Sequence, residues 1–315
     1  MRRVSNLLVF LFLGLYGFTQ SVIDSEEVLL MNDSIKLPGT LTFDKKTEKQ
    51  PLVIFVHGSG GIDRDGNQKP YANANYIKLL AEALHKKDIA FFRYDKRTST
   101  LENSQFLMNE IVIEDFVKDL NTVINYFKED KRFSSINLIG HSQGSLVAML
   151  SNLLNVDKYI SLAGPGESID KTLYKQVKQM NGDSIANILK SHLNELKETD
   201  KIENLDPNLF ALLNPTNQKF VKSWMMYNPK EEIYKLKIPT LIINGDKDLQ
   251  VKLDDAKALH SANKNSKLVL IENMNHMLKT IIKNDDNLKS YSSPDFPLSE
   301  RLVKQIVIFL KQNNE

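Results

Sequence analysis

Short runs of apolar and β-branched residues alternate along the chain with longer amphipathic runs, and this alternation predicts the elements of the fold. The short runs, typical of β-strands, read EEVLLMN, IKLPGTLTF, PLVIFVHG, IAFFRYD, INLIGHS, KYISLAG, PTLIING and KLVLIE. Helical stretches separate most of them from residue 73 onward. The sequence therefore predicts an α/β protein whose central sheet is mostly parallel and is covered by helices on both faces.

The stretch 111–127 shows the helical period most clearly. Its apolar residues fall on one stripe of a helix, which consists of Ile113, Phe116, Val117, Leu120, Val123, Ile124 and Phe127. We interpret this stripe as part of the core and not as a cofactor contact.

The segment 165–237 breaks the alternation, because it contains helical stretches and no strand-like run. It is too long for a simple crossover between two strands and predicts a helical cap inserted before the strand PTLIING. Phe220, Val221, Trp224 and Met225 would give this cap an apolar face. The alternative is that the segment only thickens the fold.

Composition and charge restrict the classes of function. The 315 residues are 42% hydrophobic and 25% charged, which is ordinary for a globular protein. The formal charge is +2 with both signs interspersed, so no basic face for nucleic acid is evident, and a small molecule is the expected partner. The absence of cysteine excludes a thiol nucleophile, a Cys-zinc site and disulfides. The sequence is compatible with an oligomer.

The N-terminus predicts the compartment. Two arginines, an apolar run from Leu7 to Phe18 and then small or polar residues follow the order of a secretory signal peptide. We predict a signal peptide at 1–20 and a hydrolase domain at 21–315, exported to the periplasm or the extracellular space without stable membrane association after cleavage. An uncleaved N-terminal anchor is the alternative.

The stretch LIGHSQG contains the first candidate for chemistry. Ser142 lies between Gly140 and Gly144, after the strand INLIG and before a helical stretch. This arrangement is typical of a nucleophile elbow, in which a serine occupies a strained turn and the flanking glycines allow close backbone approach. A plain strand-to-helix turn is the alternative. The hydroxyl would need a general base and a group that orients this base.

Two strand ends supply these partners. Of the six histidines, His276 follows the strand KLVLIE and should share a sheet edge with Ser142. The acid should lie between serine and histidine in the chain. Asp246 and Asp248 follow the strand PTLIING, and Asp248 is preferred because Asp246 directly follows the strand and its glycine, where turn capping is common.

An acyl-transfer site also needs donors for a developing oxyanion. We predict the backbone N–H of Gln143 as one donor. The second should come from the loop HGSGG, with Ser59 preferred over Gly60. Candidate substrate contacts are Gly60, His141, Trp224 and Met225.

Together, HGSGGIDRDGN, FFRYDKRT, GHSQG, YNPKEEIYKLKIPTLIINGDKDLQV and NMNHM resemble the α/β-hydrolase superfamily, and within it bacterial serine carboxylesterases of the EstD type, near dienelactone hydrolases and serine aminopeptidases. The resemblance covers about residues 25 to 313. It implies an α/β-hydrolase fold and hydrolysis of short-chain esters through an acyl-enzyme, with no metal or organic cofactor. It also implies that Asp95 and Arg97 support the oxyanion loop.

Three functions stay open on the sequence alone. The first is a carboxylesterase that acts on a small-molecule ester. The second is an amidase or peptidase on the same triad, for which Glu231 and Glu232 of the cap could anchor a peptide terminus. The third is a non-catalytic binding member of the fold, which the presence of all three triad residues disfavours.

Overall fold

A computed structural model describes residues 24–107 and 111–312. The predicted signal peptide at 1–20 lies outside these ranges, so both its cleavage and export stay predictions. None of the helices in the described ranges combines the length and the apolar composition that a membrane crossing requires.

The eight strand-like runs predicted from the sequence all form strands. The strands are β1 (Ser25–Asn32), β2 (Ile35–Thr42), β3 (Gln50–Val56), β4 (Asn67–Gln68), β5 (Ala72–Asn73), β6 (Ala90–Tyr94), β7 (Phe133–His141), β8 (Lys158–Leu162), β9 (Thr240–Gly245) and β10 (Lys267–Ile271). The helices are α1 (Tyr76–His85), α2 (Ile113–Phe127), α3 (Gln143–Leu150), α4 (Ile169–Thr199), α5 (Phe210–Leu213), α6 (Pro215–Met225), α7 (Pro229–Lys235), α8 (Leu253–Ala262), α9 (Asp286–Lys289) and α10 (Glu300–Lys311).

The main sheet is mostly parallel, as predicted. Its strand order within the described residues is β1-β2-β6-β3-β7-β8-β9-β10, and only β2 is reversed, being antiparallel to both of its neighbours, β1 and β6. The carboxyl ends of β3, β6, β7, β8, β9 and β10 therefore meet at one edge. Open α/β sheets place their functional groups at this edge.

Burial on both faces explains the near-continuous apolar runs. Along β3, Leu52 and Ile54 pack with α2, α3 and α8, whereas Val53 and Phe55 pack with α1 and α10. Successive strand residues point to opposite faces, so a strand with two covered faces must be apolar at almost every position. The predicted stripe on α2 belongs to the first of these two cores.

Helices α4, α5 and α6 form a cap between β8 and β9 with an apolar core of its own. Residues that share this core include Leu173, Leu193, Val221 and Met225. Helix α7 is different, because its Ile233 packs in the core of the sheet. The helices with a separate core thus end near residue 225, before the predicted boundary at 237.

Candidate active site

Ser142 lies in the sharp turn between β7 and α3. Its φ of 53° and ψ of −121° are rare for a residue with a side chain. Such a conformation costs about 1–3 kcal/mol and persists only where the surroundings impose it. Here the Ser142 N–H donates to the Leu162 carbonyl of β8 at 2.9 Å, which fixes the turn against the neighbouring strand.

The flanking glycines are required by space. A Cβ at Gly140 would lie 2.4 Å from the Gly144 carbonyl oxygen. A Cβ at Gly144 would lie 2.1 Å from the Val56 carbonyl oxygen at the end of β3. Both contacts are with backbone, which cannot move aside as a flexible side chain could. The Gly-x-Ser-x-Gly spacing is therefore a consequence of the close packing of β7, α3 and β3.

Asp248 and His276 form a buried pair at the ends of β9 and β10. The Nδ1–H of His276 donates to Asp248 Oδ2 at 2.7 Å. The other carboxylate oxygen, Oδ1, accepts the backbone N–H groups of Gln250 at 2.7 Å and Val251 at 2.9 Å. Three donors thus hold this carboxylate. Only Nδ1 of His276 takes part in the pair, and Nε2 is not used by Asp248.

Asp246 has a different environment. It is exposed, and its Oδ1 accepts the Asn273 N–H at 2.6 Å. This contact ties the turn after β9 to the turn after β10. The structure pairs Asp248, and not Asp246, with His276.

His141 is the next residue to Ser142, but its side chain is not among those that line the cavity beside the serine. Its Nε2–H donates to the His276 carbonyl at 2.9 Å, and its ring lies 4.7 Å from the His276 ring. Burial, followed by the effect of nearby His276, holds the pKa of His141 well below its ordinary value. The neutral ring thus positions the loop of His276, and its predicted contact with substrate stays a prediction.

The loop after β3 and the first turn of α3 present backbone donors beside the serine. The N–H groups of Ser59 and Gln143 have no acceptor within the described residues. The loop approaches the elbow closely, since a Cβ at Gly58 would lie 3.2 Å from Ser142 Cβ. Ser59, Gly60 and Gln143 all line the cavity.

The two residues that the resemblance assigns to loop support make different contacts. Asp95 accepts the backbone N–H of Arg64 at 2.8 Å and also its guanidinium, so it does hold the segment after the loop. Arg97 instead binds Asp119 of α2 with two hydrogen bonds, at 2.7 and 2.8 Å. Asp119 was not predicted, because it lies within the apolar stripe of α2.

Lys96 was also missed by the sequence interpretation. It is buried, and its Nζ donates to the Gly58 carbonyl at 2.7 Å and to Gln143 Oε1 at 2.9 Å. Its only sequence signal is its place two residues after the end of β6, at the functional edge of the sheet.

A cavity of about 480 Å³ lies beside Ser142, under the cap. Its apolar wall consists of Ile111, Phe116, Pro165, Ile169, Leu173, Ala211, Leu212, Phe220, Val221, Trp224 and Val251. Polar wall residues other than the loop and elbow residues are Lys96, Thr98, Thr172, Gln176, Thr216, Asn217 and Gln250. Such a cavity suits a ligand that is mostly apolar and has a few polar groups.

Trp224 and Met225 occupy different places, although both were predicted to contact substrate. Trp224 is half-buried and lines the cavity, with its ring 5.7 Å from that of Phe220. Met225 lies in the apolar core of the cap and is not among the cavity residues. Successive helical residues are rotated by about 100°, so one faces the cavity and the next faces the cap interior.

Residues 24–107 and 111–312 contain no group of three or more histidine, aspartate or glutamate side chains arranged to hold a metal ion.

Comparison with known proteins gives consistent matches. The sequence model of the BD-FAE family matches residues 41–262. Esterase EstD of Thermotoga maritima is 28% identical over 249 residues, which cover 77% of this chain and 58% of that protein. The chain thus spans somewhat more than half of the length of this curated relative.

Solved structures show the same fold. Est1E from Butyrivibrio proteoclasticus with bound ferulic acid has a TM-score of 0.55 and 19% identity, over 89% of this chain and 98% of that one. An esterase from Pyrococcus furiosus has a TM-score of 0.59 and 17% identity, over 92% and 91% of the two chains. At these identities the similarity establishes the α/β-hydrolase fold.

Proposed function

Since this chain belongs to the BD-FAE family, we propose that it is a serine hydrolase that cleaves carboxylic esters through a covalent acyl-enzyme. One observation carries the proposal. A serine in a strained turn lines an apolar cavity at the sheet edge that also holds a buried Asp-His pair. The similarity to Esterase EstD supports the choice of ester as the bond that is cleaved.

In the proposed mechanism, Ser142 Oγ attacks the ester carbonyl carbon and its proton passes to His276 Nε2. The carbonyl electron pair moves onto oxygen, where the N–H groups of Ser59 and Gln143 stabilise the negative charge. The alcohol then leaves with the proton from His276, and water cleaves the acyl-enzyme by the same route in reverse. Asp248 keeps the histidine in the tautomer whose Nε2 can accept a proton.

Labelling with a fluorophosphonate, together with rates on a matched ester and anilide, tests the proposal. A fluorophosphonate probe should label Ser142, as identified by peptide mass spectrometry, and kcat/KM for an aryl ester should exceed that for the anilide of the same acid. Faster cleavage of the anilide would favour an amidase. Absence of both labelling and turnover would favour a binding protein. Glu231 and Glu232, the candidate peptide anchors, are not among the cavity residues, which supports the esterase.

The cavity of about 480 Å³ has room for an acyl or alcohol group larger than acetyl, whereas the sequence resemblance implied short acyl chains. Trp224→Ala should raise KM for an octanoyl ester about tenfold and leave the acetyl ester nearly unchanged, because an apolar contact is worth about 1–3 kcal/mol per small group. Rates for acetyl, butyryl, octanoyl and feruloyl esters give the profile; the last is included because the Est1E structure holds ferulic acid.

Met225→Ala is the matched control for this prediction. It removes a neighbouring side chain of the same helix from the cap core, and not from the cavity. It should lower the melting temperature and keep the ratio of octanoyl to acetyl rates. If Trp224→Ala behaves in the same way, Trp224 only stabilises the cap.

A further inference from the structure

Lys96 is a buried amine whose charged neighbours are already paired. Asp95 binds Arg64, and Arg97 binds Asp119. Lys96 is only 6% exposed, and none of the ion pairs within the described residues includes it. A buried cation without a carboxylate partner is costly unless some other feature of the site stabilises its charge.

The two acceptors of Lys96 belong to the two halves of the proposed oxyanion hole. Its Nζ donates at 2.7 Å to the Gly58 carbonyl, in the loop after β3. It donates at 2.9 Å to the side chain of Gln143, which begins α3 directly after Ser142. One amino group therefore connects the loop to the nucleophile elbow.

The Gly58 contact also sets the direction of a backbone donor. The Gly58 carbonyl and the Ser59 N–H belong to the same peptide group, which is trans, so they point in opposite directions across one plane. Holding the carbonyl against Lys96 fixes the plane and hence the direction of the Ser59 N–H. A positively charged Lys96 amino group beside the Gly58 carbonyl oxygen also polarises the peptide and strengthens this N–H as a donor.

The surroundings allow this amine to carry a charge when one is needed. The Nζ lies 4.6 Å from the centre of the Phe116 ring, whose face attracts cations. Burial lowers the pKa of Lys96 to about 7, and the Asp119 carboxylate acts in the opposite direction. His57 is another titratable group nearby; burial, followed by the charge of Lys96, lowers its pKa to about 3, so it stays neutral. A negative charge that forms on a bound carbonyl oxygen would favour protonated Lys96.

We propose that Lys96 is a positioning residue, which orients the Ser59 N–H group toward the oxyanion of the tetrahedral intermediate, holds the loop against the elbow through the Gln143 side chain and stabilises that oxyanion by its charge. This inference rests on the proposed ester hydrolysis by Ser142. It assigns Lys96 to the transition state and not to the binding of ground-state substrate, because its two hydrogen bonds go to the protein and no carboxylate of the described residues forms an ion pair with it.

The test compares Lys96→Met with Lys158→Met. Lys158 is a matched control: it is also 6% exposed, and its Nζ donates only to backbone carbonyls, those of Phe309, Leu310 and Gln312. It lies at the start of β8, at the opposite end of the strand from the site. Both substitutions should lower the melting temperature, since both leave buried carbonyls unpaired.

The readout that separates them is a trifluoromethyl ketone, which adds to a serine hydroxyl to form an anionic tetrahedral adduct. Lys96→Met should weaken its inhibition constant about 100-fold and lower kcat for the matching ester to a similar degree, with KM changed by less than about threefold. Lys158→Met should leave all three quantities near wild type. Lys96→Gln, which keeps a neutral donor, should lose about tenfold in inhibitor affinity and supplies the same test if the methionine variant does not fold.

Three outcomes would overturn the inference. Inhibitor affinity could match wild type in the folded Lys96 variants, it could fall equally in Lys158→Met, or the Lys96 variants could raise KM alone. A failure of the proposed function gives a separate result. If Ser142 is not the nucleophile, the Ser142→Ala protein should bind the trifluoromethyl ketone as tightly as wild type does.

Discussion

Replacement of Ser142 by alanine should lower kcat/KM for a short aryl ester by at least about a thousandfold while the fold stays intact. The reason is that, in the proposed mechanism, the hydroxyl forms the acyl bond, and no other group of the elbow can substitute for it. The remaining activity would come from the backbone donors and the cavity, which still bind the ester. Ester turnover and a thermal melting curve, measured on the same preparation, check both parts of the prediction.

Ser145→Ala is the control for the serine substitution. Ser145 lies one turn further along α3. Its hydroxyl is hydrogen-bonded to the Tyr159 hydroxyl at 2.7 Å and to the Ser161 hydroxyl at 2.8 Å. Its loss should reduce stability and leave the rate of folded enzyme close to wild type. Activity near wild type in the Ser142→Ala protein would disprove the mechanism, whatever the melting curve shows.

The sheet could be predicted from the sequence because burial on both faces leaves little choice of residue. Strands such as PLVIFV and TLIING are apolar at nearly every position, and each is bounded by turn residues. The order of the strands in space was not predicted, since apolar runs of similar composition can pair in several ways. The pairing of β6 between β2 and β3 depends on packing across the whole sheet.

The contacts of Asp248 and His276 could be anticipated because the carboxyl ends of parallel strands converge. Lys96 could not be recognised in this way. Its acceptors are a backbone carbonyl and an amide, which lie 38 and 47 positions away in the chain and carry no charge that a sequence pattern would reveal. Asp119 was missed for a related reason, because its buried carboxylate on an apolar stripe is satisfied by donors that are distant in the chain, the Arg97 guanidinium and the Asn32 side-chain amide.

Helical spacing alone also could not separate the cap residues that face the cavity from those that face the cap core. Trp224 and Met225 look equivalent in a stretch of apolar residues, but the cavity lies on one side of α6 and the cap core on the other. Likewise, α7 follows the cap directly in the chain yet packs on the sheet through Ile233. Which of two apolar surfaces a helix covers depends on elements that are distant in the sequence.

The second large effect should come from Asp248→Asn, which we expect to lower kcat by at least about a hundredfold. The backbone N–H groups of Gln250 and Val251 both point at Oδ1, so the new amide must present its oxygen to them. Its NH2 group then faces His276 Nδ1 and donates to it. The histidine proton is forced onto Nε2, which can no longer accept the proton of Ser142.

Asp246→Asn is the matched control for this substitution. Within the described residues, the only hydrogen bond of the Asp246 side chain is the one that Oδ1 accepts from the Asn273 N–H, and an amide oxygen can accept it equally well. The rate should therefore stay within about threefold of wild type, because neither the tautomer nor the position of His276 depends on this group. Steady-state kinetics of both variants on the same aryl ester decide between the two carboxylates. A larger loss in Asp246→Asn than in Asp248→Asn would mean that the orienting acid has been assigned to the wrong residue, since the tautomer argument applies only to the carboxylate that holds Nδ1.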